Sequence, residues 1–150
     1  MLIKIKRTLI LVTLMIAGEV IFLLPFVVAR IFRPTFLKVF EISNLQLGTA
    51  FSLYGVIAMV SYFAGGPMAD RFSPRILMTV SLILTAIGGF FMALIPSLLG
   101  LTLLYGFWGI STIFLYWAAS VKVIRQFGGN TTQGRAFGLV DGGRGLVAAV

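Results

Sequence analysis

The chain contains no cysteine and no histidine. Without cysteine there is no disulfide framework, thiolate metal site or thiol nucleophile. Without histidine the usual proton shuttle and the usual imidazole ligand are missing too. Acid is scarce. Glu19, Glu41, Asp70 and Asp141 are the only carboxylates, and no two are spaced to share a helix face. A metal centre is therefore not expected, and nothing implies a cofactor. No nucleophile–base pair or phosphate-cradling glycine loop stands out, so no catalytic residue is assigned and an enzyme is not expected. Charge of either sign is sparse as well, at 11% of residues, where a soluble domain carries ~25%.

Apolar surface takes the place of that charge. Hydrophobic residues make up 59% of the chain, and the mean hydropathy is +1.08. The net charge of +8 would suit nucleic acid if it formed one stripe. Instead Lys4, Lys6, Arg7, Arg71, Arg75, Lys122, Arg125 and Arg135 flank apolar runs. Nucleic acid is accordingly not an expected partner, and a lipid bilayer is.

Runs of at least ~18 apolar residues predict membrane-spanning helices. Four are complete, over residues 8–31, 45–66, 76–95 and 98–121, and a fifth covers 134–150. From Ala136 to Val150 the fifth would reach about 22 Å at 1.5 Å per residue, short of a ~30 Å hydrocarbon core. The expectation is an all-α membrane protein with four complete transmembrane helices and part of a fifth, residues 1–150 being one partial domain. The first run is too long for a signal-peptide h-region of ~7–15 residues. Ser43 and Gln46 have capping-box spacing before the second run, as do Asn130 and Gln133 before the fifth. Asn130-Thr131-Thr132 also matches a glycosylation acceptor, which requires an external loop.

Orientation follows from Lys and Arg in the short loops. With the amino terminus in the cytoplasm, the eight basic residues named above lie inside and Arg30, Arg33 and Lys38 lie outside. The Asn130 stretch then lies inside, out of reach of glycosylation.

Between the second and third runs lies Gly65-Gly66-Pro67-Met68-Ala69-Asp70-Arg71-Phe72-Ser73-Pro74-Arg75. A bare turn needs neither the acid nor the two arginines. Gly65 and Gly66 permit close backbone approach, and Asp70 would suit the amino terminus of another helix. Gly66-x-x-x-Asp70-Arg71, followed by the basic Arg75, resembles the signature loop between helices two and three of the major facilitator superfamily. The position in the chain and the cytoplasmic side match as well. Two positions depart from that pattern: Ser73 stands at its second glycine and Pro74 at a basic position. Some proton-coupled branches carry an arginine ahead of a glycine-rich segment in helix four, where this chain has Tyr105.

The resemblance implies an N-terminal part of a twelve-helix transporter built from two six-helix halves. It implies a multi-pass permease of the bacterial inner membrane, symporter or antiporter, carrying a small organic solute by alternating access. Asp70 and Arg71 would then form a latch with the second half, which would be the missing partner of this chain. Residues 1–150 alone are expected to be inactive. The reading from another class is a small integral membrane protein that associates by helix packing and transports nothing, or a truncated remnant.

Ionisable groups inside apolar runs default to functional candidates. Glu19 lies mid-way along the first run, and Asp141 and Arg144 share a face of the fifth. Their depths allow Glu19 and Arg144 to meet, either as a substrate or coupling site or as a structural ion pair. Asp141 would serve a cytoplasmic gate or neutralise Arg144. Trp108 and Tyr105 are candidates for lining a cavity, and Tyr116 and Trp117 for an interfacial belt. Gly134, Gly138 and Gly142 form a small-residue stripe suited to close helix packing, with Gly143 and Gly145 adding local flexibility. Pro25 predicts a kink in the first helix.

Overall fold

The computed structural model describes residues 2–149, with side chains at Ile5 and from Arg7 onward. The side chains of Lys4 and Lys6 and the whole of Val150, used above for topology and run length, lie outside the described residues. The described residues are helical and contain no strand. In chain order they form α1 (Leu2–Phe22), a π segment (Leu23–Val27), α2 (Val28–Ile31), α3 (Arg33–Val39), α4 (Asn44–Arg71), α5 (Pro74–Ala93), α6 (Leu98–Gly109), a second π segment (Ile110–Trp117), α7 (Ala118–Gly128) and α8 (Gln133–Ala148).

Four stretches are long and apolar enough to cross a membrane: Arg7–Ile31, Asn44–Arg71, Pro74–Ala93 and Leu98–Gly128. They are called the first to fourth spans below. With 16 residues, α8 does not reach that length alone. The spans differ in how much they bury. In the fourth, 56% of the apolar window is enclosed by protein, against 22–28% in the others. The fourth span is the hub, packed against the second, the third and α8, while α8 also packs on α1.

The ends of the spans have local causes. Ser43 caps α4 with a full capping box: Gln46 N–H donates to Ser43 Oγ at 3.2 Å, and Ser43 N–H donates to Gln46 Oε1 at 2.7 Å. Where the sequence suggested a loop from Gly66 onward, α4 instead continues to Arg71 through Pro67. Lys122 Nζ, from α7, donates to the carbonyls of Ala69 (2.7 Å) and Asp70 (3.4 Å). Carbonyls of a last turn have no partner within their own helix, so this lysine sustains the extra turn. Only Phe72 and Ser73 then separate α4 from α5, which opens with Pro74 in its first turn.

The fourth span also outlasts its expected end at residue 121 and runs to Gly128, stopping at Gly129 with φ 59°. The expected Asn130–Gln133 box does not form. Thr132 is the N-cap of α8 and makes no capping bond. Its Oγ1 donates back to the Gly128 carbonyl at 2.7 Å.

Pro25 disturbs the first span as its missing donor requires. The disturbance is the π segment Leu23–Val27 around it. The second π segment contains no proline. Serine and threonine hydroxyls surround it instead, and they form the most polar part of the interior. Ser81 Oγ donates to the Ser111 carbonyl (2.5 Å), Thr85 Oγ1 pairs with Ser111 Oγ (2.9 Å), and Trp108 Nε1 donates to the Thr85 carbonyl (3.2 Å). From the other side, Tyr54 Oη pairs with Thr112 Oγ1 at 2.8 Å, and Thr112 Oγ1 donates to the Trp108 carbonyl at 2.7 Å. A π turn shifts carbonyls out of the α register. In this seam, hydroxyls of the third and fourth spans occupy the carbonyls of Ser111 and Trp108, and Tyr54 of the second span bonds the Thr112 hydroxyl.

Candidate functional site

Three ionisable side chains meet where α1, the fourth span and α8 come together. Arg144 Nη2 lies 3.8 Å from Glu19 Oε2, and Arg144 Nη1 lies 3.6 Å from Asp141 Oδ1. The side chains of Glu19 and Arg144 are about four-fifths buried, at 22% and 21% exposure, whereas Asp141 is open at 60%. The meeting of Glu19 and Arg144 anticipated from their depths is thus present.

The local packing explains how an arginine fits there. A Cβ on Gly18 would stand 2.9 Å from Arg144 Cδ, so the glycine leaves the groove in which the side chain crosses α1. Gly143 is filled on its far side by Met15. The guanidinium carbon then sits over two rings, 5.7 Å from the centroid of Phe22 and 5.8 Å from that of Trp117. These rings mark the two irregular stretches: Phe22 directly precedes the first π segment and Trp117 ends the second. Arg144 is therefore wedged between the places where two spans leave α geometry.

The cluster is charged but loosely bonded. Both ion-pair distances exceed the hydrogen-bond range of ~2.7–3.2 Å. Among the described residues, Arg144 Nε is buried with no hydrogen-bond partner, and so is the hydroxyl of Tyr116. Two carboxylates face one guanidinium, which leaves one negative charge unbalanced. A charge inside a bilayer is costly, ~3 kcal/mol on insertion scales, and here it is only partly offset by hydrogen bonding.

The aromatic residues fall differently from the sequence expectation. Tyr116 is 1% exposed and Trp117 lies against Arg144. Both rings are thus directed at other parts of the bundle, and the fourth span continues for eleven residues beyond Trp117. Trp108 and Tyr105 are fully enclosed. Trp108 gives its N–H to Thr85, and Tyr105 sits edge-on to Phe51 (4.8 Å) and Trp108 (5.3 Å). The surfaces they line belong to the seam between spans. The Tyr105 hydroxyl has no partner among the described residues.

At the end of α4, a groove of about 470 Å³ runs between the second and fourth spans, with Gly66, Asp70, Trp117, Lys122 and Arg125 in its walls. Asp70 Oδ1 lies 3.8 Å from Lys122 Nζ, and its side chain is 81% exposed. Asp70 therefore faces Lys122, not the start of a described helix. Gly65 permits the close approach expected of it, since a Cβ there would lie 3.0 Å from Ala118 Cβ. Gly66 has open space instead. Arg71 and Arg75 are exposed and have no acidic partner among the described residues. The glycine stripe is displaced as well. A Cβ on Gly134, Gly138, Gly142 or Gly145 would meet nothing within 4 Å. The face of α8 that packs is Ala136, Val140 and Gly143.

Sequence reasoning missed Lys122 as the partner of Asp70, Gly18 as the notch for Arg144, and Phe22 as its platform. The hydroxyl seam carried one legible signal, Ser81 and Thr85 four apart on one face of an apolar run. No group of three acidic or other metal-ligating residues lies together among the described residues.

Comparison with known proteins agrees with the architecture. The family model described as Major Facilitator Superfamily matches residues 8–150. Inner membrane protein YqcE of Escherichia coli (strain K12) is 32% identical over 109 residues, covering 73% of this chain and 26% of YqcE. Inner membrane protein YihN of the same organism is 29% identical over 137 residues, covering 91% of this chain and 32% of YihN. The chain thus spans a third or less of the length of these curated relatives. No solved structure matches it.

Proposed function

The chain belongs to the Major Facilitator Superfamily, a family of membrane transporters, and on that premise we propose that it forms part of the N-terminal domain of a secondary active transporter for a small organic solute. The membrane is the cell's inner membrane, as in the names of both relatives, with the amino terminus on the cytoplasmic side. Transport proceeds by alternating access, one half of the protein rocking against the other around a site near the midplane.

The observation that carries this reading is the Arg144 cluster. Glu19 lies about 18 Å along the first span from Arg7, at 1.5 Å per residue. That is far from either end of the apolar stretch. A structural ion pair at such a depth is expected to be closed, with its donors satisfied. This one has a free Nε, an open carboxylate in Asp141 and an excess of negative charge. Glu19 and Arg144 are assigned to solute or coupling-ion binding. Asp141 offsets the charge of Arg144 from the open side. Trp117 stands in both the Arg144 cluster and the groove that holds Asp70. Movement at the α4 end is thereby transmitted to the site. Gly66, Asp70, Arg71 and Arg75 form the gating segment, with Lys122 holding its last turn. Trp108 and Tyr105 support the site from the seam behind it.

The test is gradient-driven uptake by the complete transporter in proteoliposomes, with the solute first found by screening a panel for thermal stabilisation. Glu19→Gln is expected to abolish coupled uptake while the protein still folds. Normal uptake and coupling by Glu19→Gln would remove Glu19 from the site. The absence of uptake or stabilisation by any solute would favour a packing protein that transports nothing.

A further inference from the structure

A second concentration of unbalanced charge lies away from the Arg144 cluster, at the end of the bundle where the first span and α8 begin. A pocket of about 290 Å³ there is lined by Arg7 from α1 and Arg135 from α8. Arg7 is held in place: Nη2 donates to the Phe127 carbonyl at 3.3 Å, and the guanidinium carbon lies 5.1 Å from the centroid of the Phe127 ring. Its remaining donors are free for another ligand. Neither arginine has an acidic partner among the described residues, and none of the four carboxylates of the chain lines the pocket.

The position of Arg135 heightens the imbalance. It stands in the first turn of α8, a turn with no acidic residue and no side-chain cap. The start of a helix already carries partial positive charge, so an anion is favoured there and a lone cation is not. Apart from Thr132, whose Oγ1 already donates to the Gly128 carbonyl, the rest of the lining is apolar. Leu11 follows Arg7 by four residues, and Leu139 follows Arg135 by four. Each leucine therefore sits one turn further along its helix on the same face. In the sequence, Arg7 stands directly before the apolar first run, which begins at Thr8. The pocket has a cationic mouth at the boundary of the membrane-crossing stretch and an apolar floor beneath it.

We infer that this pocket binds one anionic phospholipid, its phosphate held by Arg7 and Arg135 and its acyl chain laid along Leu11 and Leu139. Guanidinium groups bind phosphate oxygens through paired, charge-assisted hydrogen bonds, and basic pockets between membrane helices accept such head groups. A soluble phosphate would engage the mouth and leave the apolar floor empty, so the geometry favours the lipid. The inference does not depend on transport.

The experiment titrates the complete transporter, purified in neutral detergent, with phosphatidylglycerol and with phosphatidylcholine, counting bound lipids by native mass spectrometry. Phosphatidylglycerol is expected to bind about thirtyfold more tightly, roughly fivefold for each arginine. Arg7→Gln/Arg135→Gln should bring the two lipids to within about twofold of each other. Arg71→Gln/Arg75→Gln removes the same charge from the adjoining α4–α5 turn and should preserve the preference. Millimolar inorganic phosphate should not displace the lipid. Equal binding of both lipids by the unaltered transporter would overturn the proposal. So would a preference that survives the Arg7/Arg135 change, one lost equally in the Arg71/Arg75 change, or displacement by free phosphate. Should the first double variant fail to fold, Arg135→Gln alone decides. Its side chain is exposed, and the preference should fall about fivefold.

Discussion

Two polar regions lie within the same apolar bundle, and they are built in opposite ways. In the seam among the second, third and fourth spans, small hydroxyls sit 2.5–3.2 Å from their partners and close off the Trp108 and Ser111 carbonyls. In the cluster between α1 and α8, full charges stand 3.6–3.8 Å apart with a donor unused. Neutral groups with complete bonding cost little inside a membrane and fix helix positions. Charges with incomplete bonding cost more. On the function proposed above, the seam is the frame and the cluster the working site.

The contrast can be broken from the frame side first. Trp108→Ala removes a fully enclosed side chain from the seam together with its bond to Thr85. It should lower unfolding stability in mixed micelles by about 3 kcal/mol, the lower end of the range for such truncations because lipid replaces water as the reference. Gly88→Val attacks the same place by crowding. A Cβ there would lie 2.5 Å from Trp108 Nε1 and 3.0 Å from Leu104 Cδ1, and a loss of about 1–3 kcal/mol is expected by the same assay. Smallest is a change on the open side of α8. Gly142→Ala meets nothing within 4 Å and should raise stability by roughly 0.5–1 kcal/mol through helix propensity alone. Destabilisation by Gly142→Ala would show that the glycine stripe is packed after all.

Much of the frame was legible because it depends on run length and local spacing. The spans follow from uninterrupted apolar residues, and the Ser43–Gln46 box forms as its spacing indicates. The Asn130–Gln133 box has the same spacing and does not form, because Thr132 takes the capping position and turns its hydroxyl back to Gly128. Other features depend on partners distant in sequence. The extra turn of α4 needs Lys122, some fifty residues later. The packing of Trp117 depends on Arg144, which lies in another helix. At the candidate site, the charges were visible as ionisable residues at matching depth. Their platform was not, since nothing in composition shows that Phe22 and Trp117 flank π segments or that Gly18 opens a groove.

Because these 150 residues contain no cysteine, single thiols placed in them are unique once any cysteine elsewhere in the protein is replaced. The most direct measurement compares Glu19→Cys with Thr85→Cys in the complete transporter, labelled from the aqueous phase by a membrane-impermeant methanethiosulfonate. A working site opens to water at some point in its cycle and a frame does not. Position 19 should therefore be modified readily, in spite of lying deep in an apolar span, while position 85 stays unreacted. Equal resistance at the two positions would contradict the account and make the Glu19–Arg144 pair part of the frame.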